Sequence, residues 1–111
     1  MSLKNKIMIS LAVILTLPVM AGAEGDPERG KQKAETCLGC HAIENYTNVY
    51  PTYPVPKLGG QNAQYIVDAL KAYASGDRPH VTMHAQAATL TDEDRQDIAA
   101  FLSSANGGAA K

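Results

Sequence analysis

The sequence has few cysteines, few large apolar side chains and no block of basic residues. Only two of its 111 residues are cysteine, and one is phenylalanine. A structural zinc site needs about four ligands, so two cysteines argue against one. Lysine and arginine are scattered, and aspartate and glutamate slightly outnumber them, eleven to ten. Without a basic stripe, the chain has no electrostatic basis for binding nucleic acid.

The sequence also has no apolar run long enough to cross a membrane. An apolar stretch at residues 7–19 follows two lysines and precedes Ala21-Gly22-Ala23. A charged start, a short apolar run and a small-x-small triplet are typical of a secretory signal. We therefore predict a cleaved signal peptide over residues 1–23 and one mature domain over 24–111. An uncleaved membrane anchor is the alternative.

The two cysteines form the motif Cys37-Leu38-Gly39-Cys40-His41. This C-x-x-C-H spacing is typical of covalent haem attachment, in which both thiols add to the vinyl groups of one porphyrin. Three residues make about one helical turn, so both sulfurs can face the same ring edge. His41 then supplies the proximal iron ligand through a neutral imidazole. A thioredoxin-like dithiol needs a preceding strand, which is not indicated here, and a disulfide would close almost no loop.

The expected mature domain is short of core-forming residues. Leucine, isoleucine, valine and phenylalanine make up 13 of the 88 residues 24–111, about 15%, and contents below roughly 20% are typical of disordered chains. A buried porphyrin resolves this conflict because it brings apolar surface that the polypeptide lacks. We therefore expect the chain without haem to be largely unfolded. The same residues carry eight basic and eleven acidic side chains, a net charge of −3.

Three stretches of the mature chain show helical patterns. Asp26 and Pro27 are a typical helix start, which predicts a first helix from Pro27 to Thr36. Apolar residues at spacings of three and four predict a second helix over 62–75, ended by Gly76. A capping box at Thr91 starts the last helix, which we expect to end at Gly107-Gly108.

The connections at residues 42–60 and 77–89 have no sustained periodicity and are predicted as loops. Three prolines stiffen the first loop, and a stiff extended segment can wall a flat ligand without forming a strand. Its tyrosines either cover the underside of the loop or line the haem pocket. We expect at least one of these near the haem edge: Tyr46, Tyr50 or Tyr53.

The second axial position on the iron has three candidates, all in the second loop. Met83 is the only methionine of the expected mature chain, and a thioether in a polar loop has no evident packing role. Methionine opposite His41 would raise the redox potential, which suits an electron carrier. His80 and His84 are the alternatives, and either would give a lower potential.

With these features together, the chain resembles the bacterial class I cytochromes c. It is most similar to the short periplasmic monohaem subgroup and to one half of the two-haem cytochromes. The similarity rests on the attachment motif, Pro56–Gln61, Met83, and Leu90–Asp94 through to Leu102. The chain departs from the subgroup in a longer tyrosine-rich loop and in having Thr82-Met83 where two methionines are common.

The resemblance implies an all-α fold in which three to four helices pack around one covalently bound haem. It implies that the first and last helices cross at a small residue and an aromatic, here Gly30 and Phe101. It also implies that the carbonyl of Pro56 accepts a hydrogen bond from His41. The iron ligands would be His41 and Met83.

The function implied is periplasmic electron transfer between ferric and ferrous haem, without catalysis by the chain itself. Electrons would come from a dehydrogenase or quinol-oxidising complex and pass to an oxidase or reductase. Contact with a membrane would occur only through such partners. Two alternatives remain: a haem subunit of a larger dehydrogenase, for example in sulfur-compound oxidation, or a ligand-binding or catalytic haem protein if Met83 is not bound to iron.

Overall fold

The computed structural model describes residues 25–104. The predicted signal peptide and the predicted helix end at Gly107-Gly108 lie outside this range. Within it, five helices and one hairpin follow each other as α1 (Pro27–Lys33), α2 (Glu35–His41), β1 (Thr47–Val49), β2 (Thr52–Pro54), α3 (Ala63–Ser75), α4 (Val81–Ala87) and α5 (Asp92–Ser103). The predicted all-α class is confirmed, and two of the predicted connections contain additional short elements.

The first predicted helix is divided into α1 and α2 at Ala34. Asp26 caps α1 by accepting from the backbone N–H groups of Glu28 and Arg29, at 2.8 and 3.2 Å. At Ala34 the backbone turns to ψ −2°, but its N–H still bonds the carbonyl of Gly30, and its carbonyl accepts from Leu38. The helix is therefore interrupted without losing these hydrogen bonds. Cys37 lies inside α2 rather than at the end of the predicted helix.

The core is small and forms where α3 and α5 meet the other helices. Its largest fully buried apolar side chains are Val67, Ile98 and Leu102, each about 1% exposed. Asn62 caps α3 by accepting from the N–H of Tyr65, and Gly76 ends the helix with φ at 86°. The predicted bounds of this helix are thus confirmed to within one residue.

Helices α1 and α5 approach so closely that a glycine is required at the contact. A Cβ atom on Gly30 would lie within 1.9 Å of the backbone oxygen of Asp97 and 3.0 Å from Cβ of Phe101. The predicted close approach at Gly30 and Phe101 is therefore confirmed. None of the helices in the described range is long and apolar enough to span a bilayer.

A buried carboxylate at Asp97 reinforces the same contact. Asp97 is fully buried and accepts from the N–H of Asp26 at 2.7 Å, from Arg29 Nε at 2.9 Å and from Lys33 Nζ at 2.8 Å. Its hydrogen bonds to Arg29 and Lys33 hold its pKa far below the ordinary value. Lys33 and the backbone of Thr91 likewise lower the pKa of Asp94 from 3.8 to about 2. A buried carboxylate with this many donors is tolerated because its charge is compensated.

The prediction that residues 42–60 form no strand is wrong. Strands β1 and β2 pair antiparallel, with Asn48 opposite Tyr53 and Thr47 opposite Pro54. Proline is acceptable at position 54 because a two-stranded sheet leaves an outer edge on each strand, where no N–H is needed. The turn between the strands leaves Tyr50 94% exposed.

The prediction that residues 77–89 are entirely loop is also wrong, because α4 lies within them. His80 caps this helix: its Nδ1 accepts from the N–H of Met83 at 3.2 Å. Of the seven residues in α4, Ala87 alone is buried, so the sequence shows almost no apolar periodicity there. His84 Nδ1 donates to the carbonyl of Tyr73 at 2.9 Å and ties α4 to α3.

Candidate functional site

Helices α2, α3 and α4 and the segment after β2 enclose a cleft of about 450 Å³. Its volume is within the range of cofactor pockets, and its lining is mostly apolar, as such sites require. Core side chains form part of the wall, including Ile66, Leu70, Ile98 and Leu102. The sequence-predicted site residues all line this cleft: Cys37, Cys40, His41, Pro56 and Met83.

Both cysteines lie at the cleft wall, and they form no disulfide. Cys37 is half-buried, and burial raises the pKa of its thiol. A reactive dithiol of the thioredoxin type has a lowered thiol pKa instead, so the environment of Cys37 does not fit that chemistry. Within residues 25–104, no group of three or more His, Cys, Asp or Glu side chains is placed to hold a metal ion.

The position of the proton on His41 is set by a short hydrogen bond to the backbone. Its Nδ1 lies 2.6 Å from the carbonyl oxygen of Pro56. A carbonyl can only accept, so Nδ1 carries the proton, and Nε2 of the neutral ring keeps its lone pair. Such a bond also orients a ligating imidazole and raises its basicity.

The three candidates for the second axial ligand differ in their surroundings. Met83 is half-buried, packs against the core and lines the cleft. His80 also lines the cleft, but its Nδ1 accepts from the backbone of Met83, so the proton of the neutral ring is on Nε2. His84 is exposed and bonded to the carbonyl of Tyr73, and it is not among the described residues that line the cleft.

Of the three loop tyrosines, Tyr53 lines the cleft. Tyr46 lines a separate depression on the surface, and Tyr50 projects from the hairpin turn. Three residues that were not predicted as site residues also line the cleft, namely Tyr65, Tyr73 and Arg78. The guanidinium of Arg78 stacks 4.7 Å over the ring of Tyr73, and its NH1 donates to Tyr65 Oη at 3.4 Å. Of these three, Tyr73 belongs to the apolar stripe that predicts α3, whereas no sequence pattern marks Arg78.

These features together fit a haem. Cys37 and Cys40 bring two sulfur atoms to one wall of a largely apolar cleft, and neither residue forms a disulfide. His41 presents an unprotonated nitrogen suited to iron. The half-buried Met83 provides a soft sulfur donor on another element of the same cleft.

Residues 27–106 match the cytochrome c family. The chain belongs to this family. It is 33% identical to cytochrome c4 of Stutzerimonas stutzeri over 93% of its own length and 52% of that protein. It is 34% identical to cytochrome c4 of Pseudomonas aeruginosa, over 90% of the chain and 48% of that protein. The chain thus spans about half the length of these relatives.

A shorter relative is matched over almost its whole length. Cytochrome c-554(548) of Halomonas halodenitrificans is 40% identical over 72% of this chain and 96% of that protein. The resemblance to bacterial class I c-type cytochromes is confirmed, and with it the class I fold. As a member of this family, the chain carries haem c, and the spacing of Cys37, Cys40 and His41 fits the attachment of one haem.

Proposed function

We propose that this cytochrome is a periplasmic monohaem electron carrier whose iron is held by His41 and Met83. Bound haem c supplies one-electron chemistry between the ferric and ferrous states. The chain's own residues hold that group, exclude water from it and fix its potential. No residue is required to form or break a covalent bond during turnover, which is why we propose a carrier and not an enzyme.

The hydrogen bond at His80 is the observation that favours Met83 over His80 as the second iron ligand. With Nδ1 accepting from the backbone at 3.2 Å, neutral His80 has a protonated Nε2 and no free lone pair for iron. Ligation by His80 would therefore require it to give up the cap of α4. The position of His84 outside the cleft lining supports the same choice. Met83 needs no such rearrangement.

The hydrogen bond between His41 and Pro56 supports the proximal role of His41. A ring fixed at 2.6 Å from a carbonyl cannot rotate without losing that bond. Because the backbone carbonyl fixes the ring, Nε2 points in the same direction before and after electron transfer. Little reorganisation then accompanies oxidation and reduction.

The proposal extends to where the protein acts and to the classes of protein with which it exchanges electrons. We infer that residues 1–23 direct export and are removed, so that the mature chain begins near Glu24. Electrons would arrive from a dehydrogenase or quinol-oxidising complex and leave to an oxidase or reductase. Co-purification from the native source tests this: a free carrier elutes alone, whereas a permanent subunit elutes with a flavin- or molybdenum-containing chain.

The axial assignment is tested by the absorption spectrum of the oxidised protein. Ferric haem bound by methionine shows a weak red charge-transfer band that bis-histidine haem lacks. Met83→Ala should abolish this band and lower the potential on the order of 100 mV, within the roughly 0.8 V that axial ligands span. It should also let cyanide bind the ferric iron. His84→Gln, the matched control, should leave the band unchanged. A wild-type protein without the band would refute the assignment.

A further inference from the structure

Tyr53 connects the hairpin to the helix that carries Met83. Its hydroxyl donates to Thr82 Oγ1 at 2.9 Å. The edge of its ring meets the ring of His80, with centroids 4.7 Å apart and planes at 78°. Thr82 precedes Met83 directly, and His80 accepts from the N–H of Met83. Of the two residues that Tyr53 contacts, His80 thus hydrogen-bonds the backbone of Met83 and Thr82 is its neighbour in the chain.

The segment that carries Tyr53 also contacts His41. Three residues further on, the carbonyl of Pro56 accepts the hydrogen bond from His41 at 2.6 Å. An extended segment of this length spans about 10 Å. The stretch Tyr53–Pro56 is thus joined to the proximal histidine at one end and to the start of α4 at the other.

Helix α4 depends on such external contacts. It has seven residues, of which Ala87 is the buried one, and isolated helices this short are unstable in water. Its C-terminal half is held by Ala87 and by the bond from His84 to Tyr73. At its N-terminal end, the side chain of His80 caps the helix, and Tyr53 contacts both His80 and Thr82.

We propose that Tyr53 is a positioning residue that holds Met83 on the iron by fastening the start of α4 to the hairpin through Thr82. The proposal rests on the proposed ligation of iron by Met83. The hydroxyl group makes the hydrogen bond, while the ring packs against His80. Loss of the hydroxyl alone increases the fraction of molecules in which Met83 has left the iron, because the bond stabilises the ligated arrangement.

The test is cyanide binding to the ferric holoprotein, which requires Met83 to leave. The apparent affinity for cyanide is proportional to the fraction of protein in the open state. A neutral hydrogen bond contributes enough to shift this fraction by about two- to tenfold. Tyr53→Phe and Thr82→Val should each raise the cyanide affinity by that factor. The double variant should exceed neither single variant, because both remove one bond.

Two control variants separate this role from general destabilisation. Thr82→Ser keeps the accepting hydroxyl and should bind cyanide as the wild type does. Tyr50→Phe removes a hydroxyl from the 94% exposed tyrosine of the same hairpin and should also have no effect. Unchanged cyanide affinity in Tyr53→Phe, even with a lowered melting temperature, would overturn the proposal, as would additive effects of Tyr53→Phe and Thr82→Val.

The failure of this proposal can be distinguished from failure of the axial assignment. If the red band is present in the wild type and lost in Met83→Ala, Met83 is the ligand. Wild-type cyanide affinity in Tyr53→Phe then rejects the role of Tyr53 alone. If the wild type lacks the band, both proposals are rejected.

Discussion

Alanine substitutions at Gly30 and Gly39 should change stability in opposite directions. In an exposed helix, Gly→Ala stabilises by about 1 kcal/mol. A Cβ on Gly39 in α2 meets no atom within 4 Å, so Gly39→Ala should show that gain. A Cβ on Gly30 would lie within 1.9 Å of the Asp97 backbone oxygen, whereas real Cβ contacts essentially never fall below 3.0 Å. Helix α1 would have to move outward by about 1 Å.

The size of the loss at Gly30 follows from what such a shift disturbs. Overpacking a core costs about 1–3 kcal/mol, sometimes more. The clash here is with backbone, which no rotamer change relieves, and the shift also draws Arg29 and Lys33 away from Asp97. We therefore expect a cost near 3 kcal/mol, reduced to about 2 kcal/mol by the helix-propensity gain. For a domain of this size the melting temperature should fall by about 8–16 °C.

Thermal unfolding of the holoprotein, followed by far-ultraviolet circular dichroism, measures both shifts. Covalent attachment keeps the haem on the unfolded chain, so haem loss does not complicate the comparison. Gly39→Ala should melt about 4–8 °C above the wild type. A Gly30→Ala variant that melts at or above the wild-type temperature would contradict the predicted clash with the backbone of Asp97.

Two further predictions concern the start of α5. Because the pKa of Asp94 is about 2 in the folded protein against an ordinary 3.8, the folded state binds its proton less readily. The stability that the ion pair between Asp94 and Lys33 contributes is complete above about pH 4 and is lost as the pH falls towards 2. Guanidinium midpoints measured from pH 5 to 2 should therefore fall, and Asp94→Asn should flatten that decline; an unchanged slope would contradict it. Thr91→Ala removes the cap that accepts from Asp94 N–H at 3.1 Å and should cost about 1 kcal/mol in chemical unfolding, whereas Thr91→Ser should retain most of it.

The helices that sequence predicts well are those whose ends are set by local chemistry. Asp26, Asn62 and Thr91 are side chains that accept from backbone N–H groups two or three residues later, and all three cap helices in the structure. Gly76 adopts the left-handed backbone that ends a helix. These signals depend on neighbouring residues alone, so no knowledge of the tertiary fold is needed to find them.

Helix α4 and the hairpin could not be predicted in this way because distant contacts stabilise them. The cap of α4 is an imidazole at His80, which is an unusual capping group, and its register depends on the Tyr73 carbonyl of another helix. The hairpin contains prolines that usually argue against strands, and they are tolerated because the sheet has two strands. Since the sequence does not reveal the strands, it also does not reveal which side chains alternate inward, and so it cannot single out Tyr53 among the loop tyrosines.

The attachment motif can be identified from sequence because its chemistry requires a fixed spacing, whereas the buried carboxylate of Asp97 cannot. Asp97 lies one residue before Ile98 and four before Phe101, on a face where apolar residues are expected. The carboxylate is stable there because Arg29 and Lys33, at sequence separations of 68 and 64, reach it from α1. No local pattern in α5 reveals those partners.

The contact between α1 and α5 has a consequence for the order of events during maturation. Its hydrogen bonds join residues 64 to 71 positions apart, and closing so long a loop is slow compared with forming a local helix. The attachment cysteines lie inside that loop, only a few residues beyond α1. Before α5 is available, a chain that already includes Cys40 therefore exposes its thiols, and α1 has no α5 to pack against. Haem attachment can precede this closure, and a chain cut before Asp92 could carry haem yet never complete the fold.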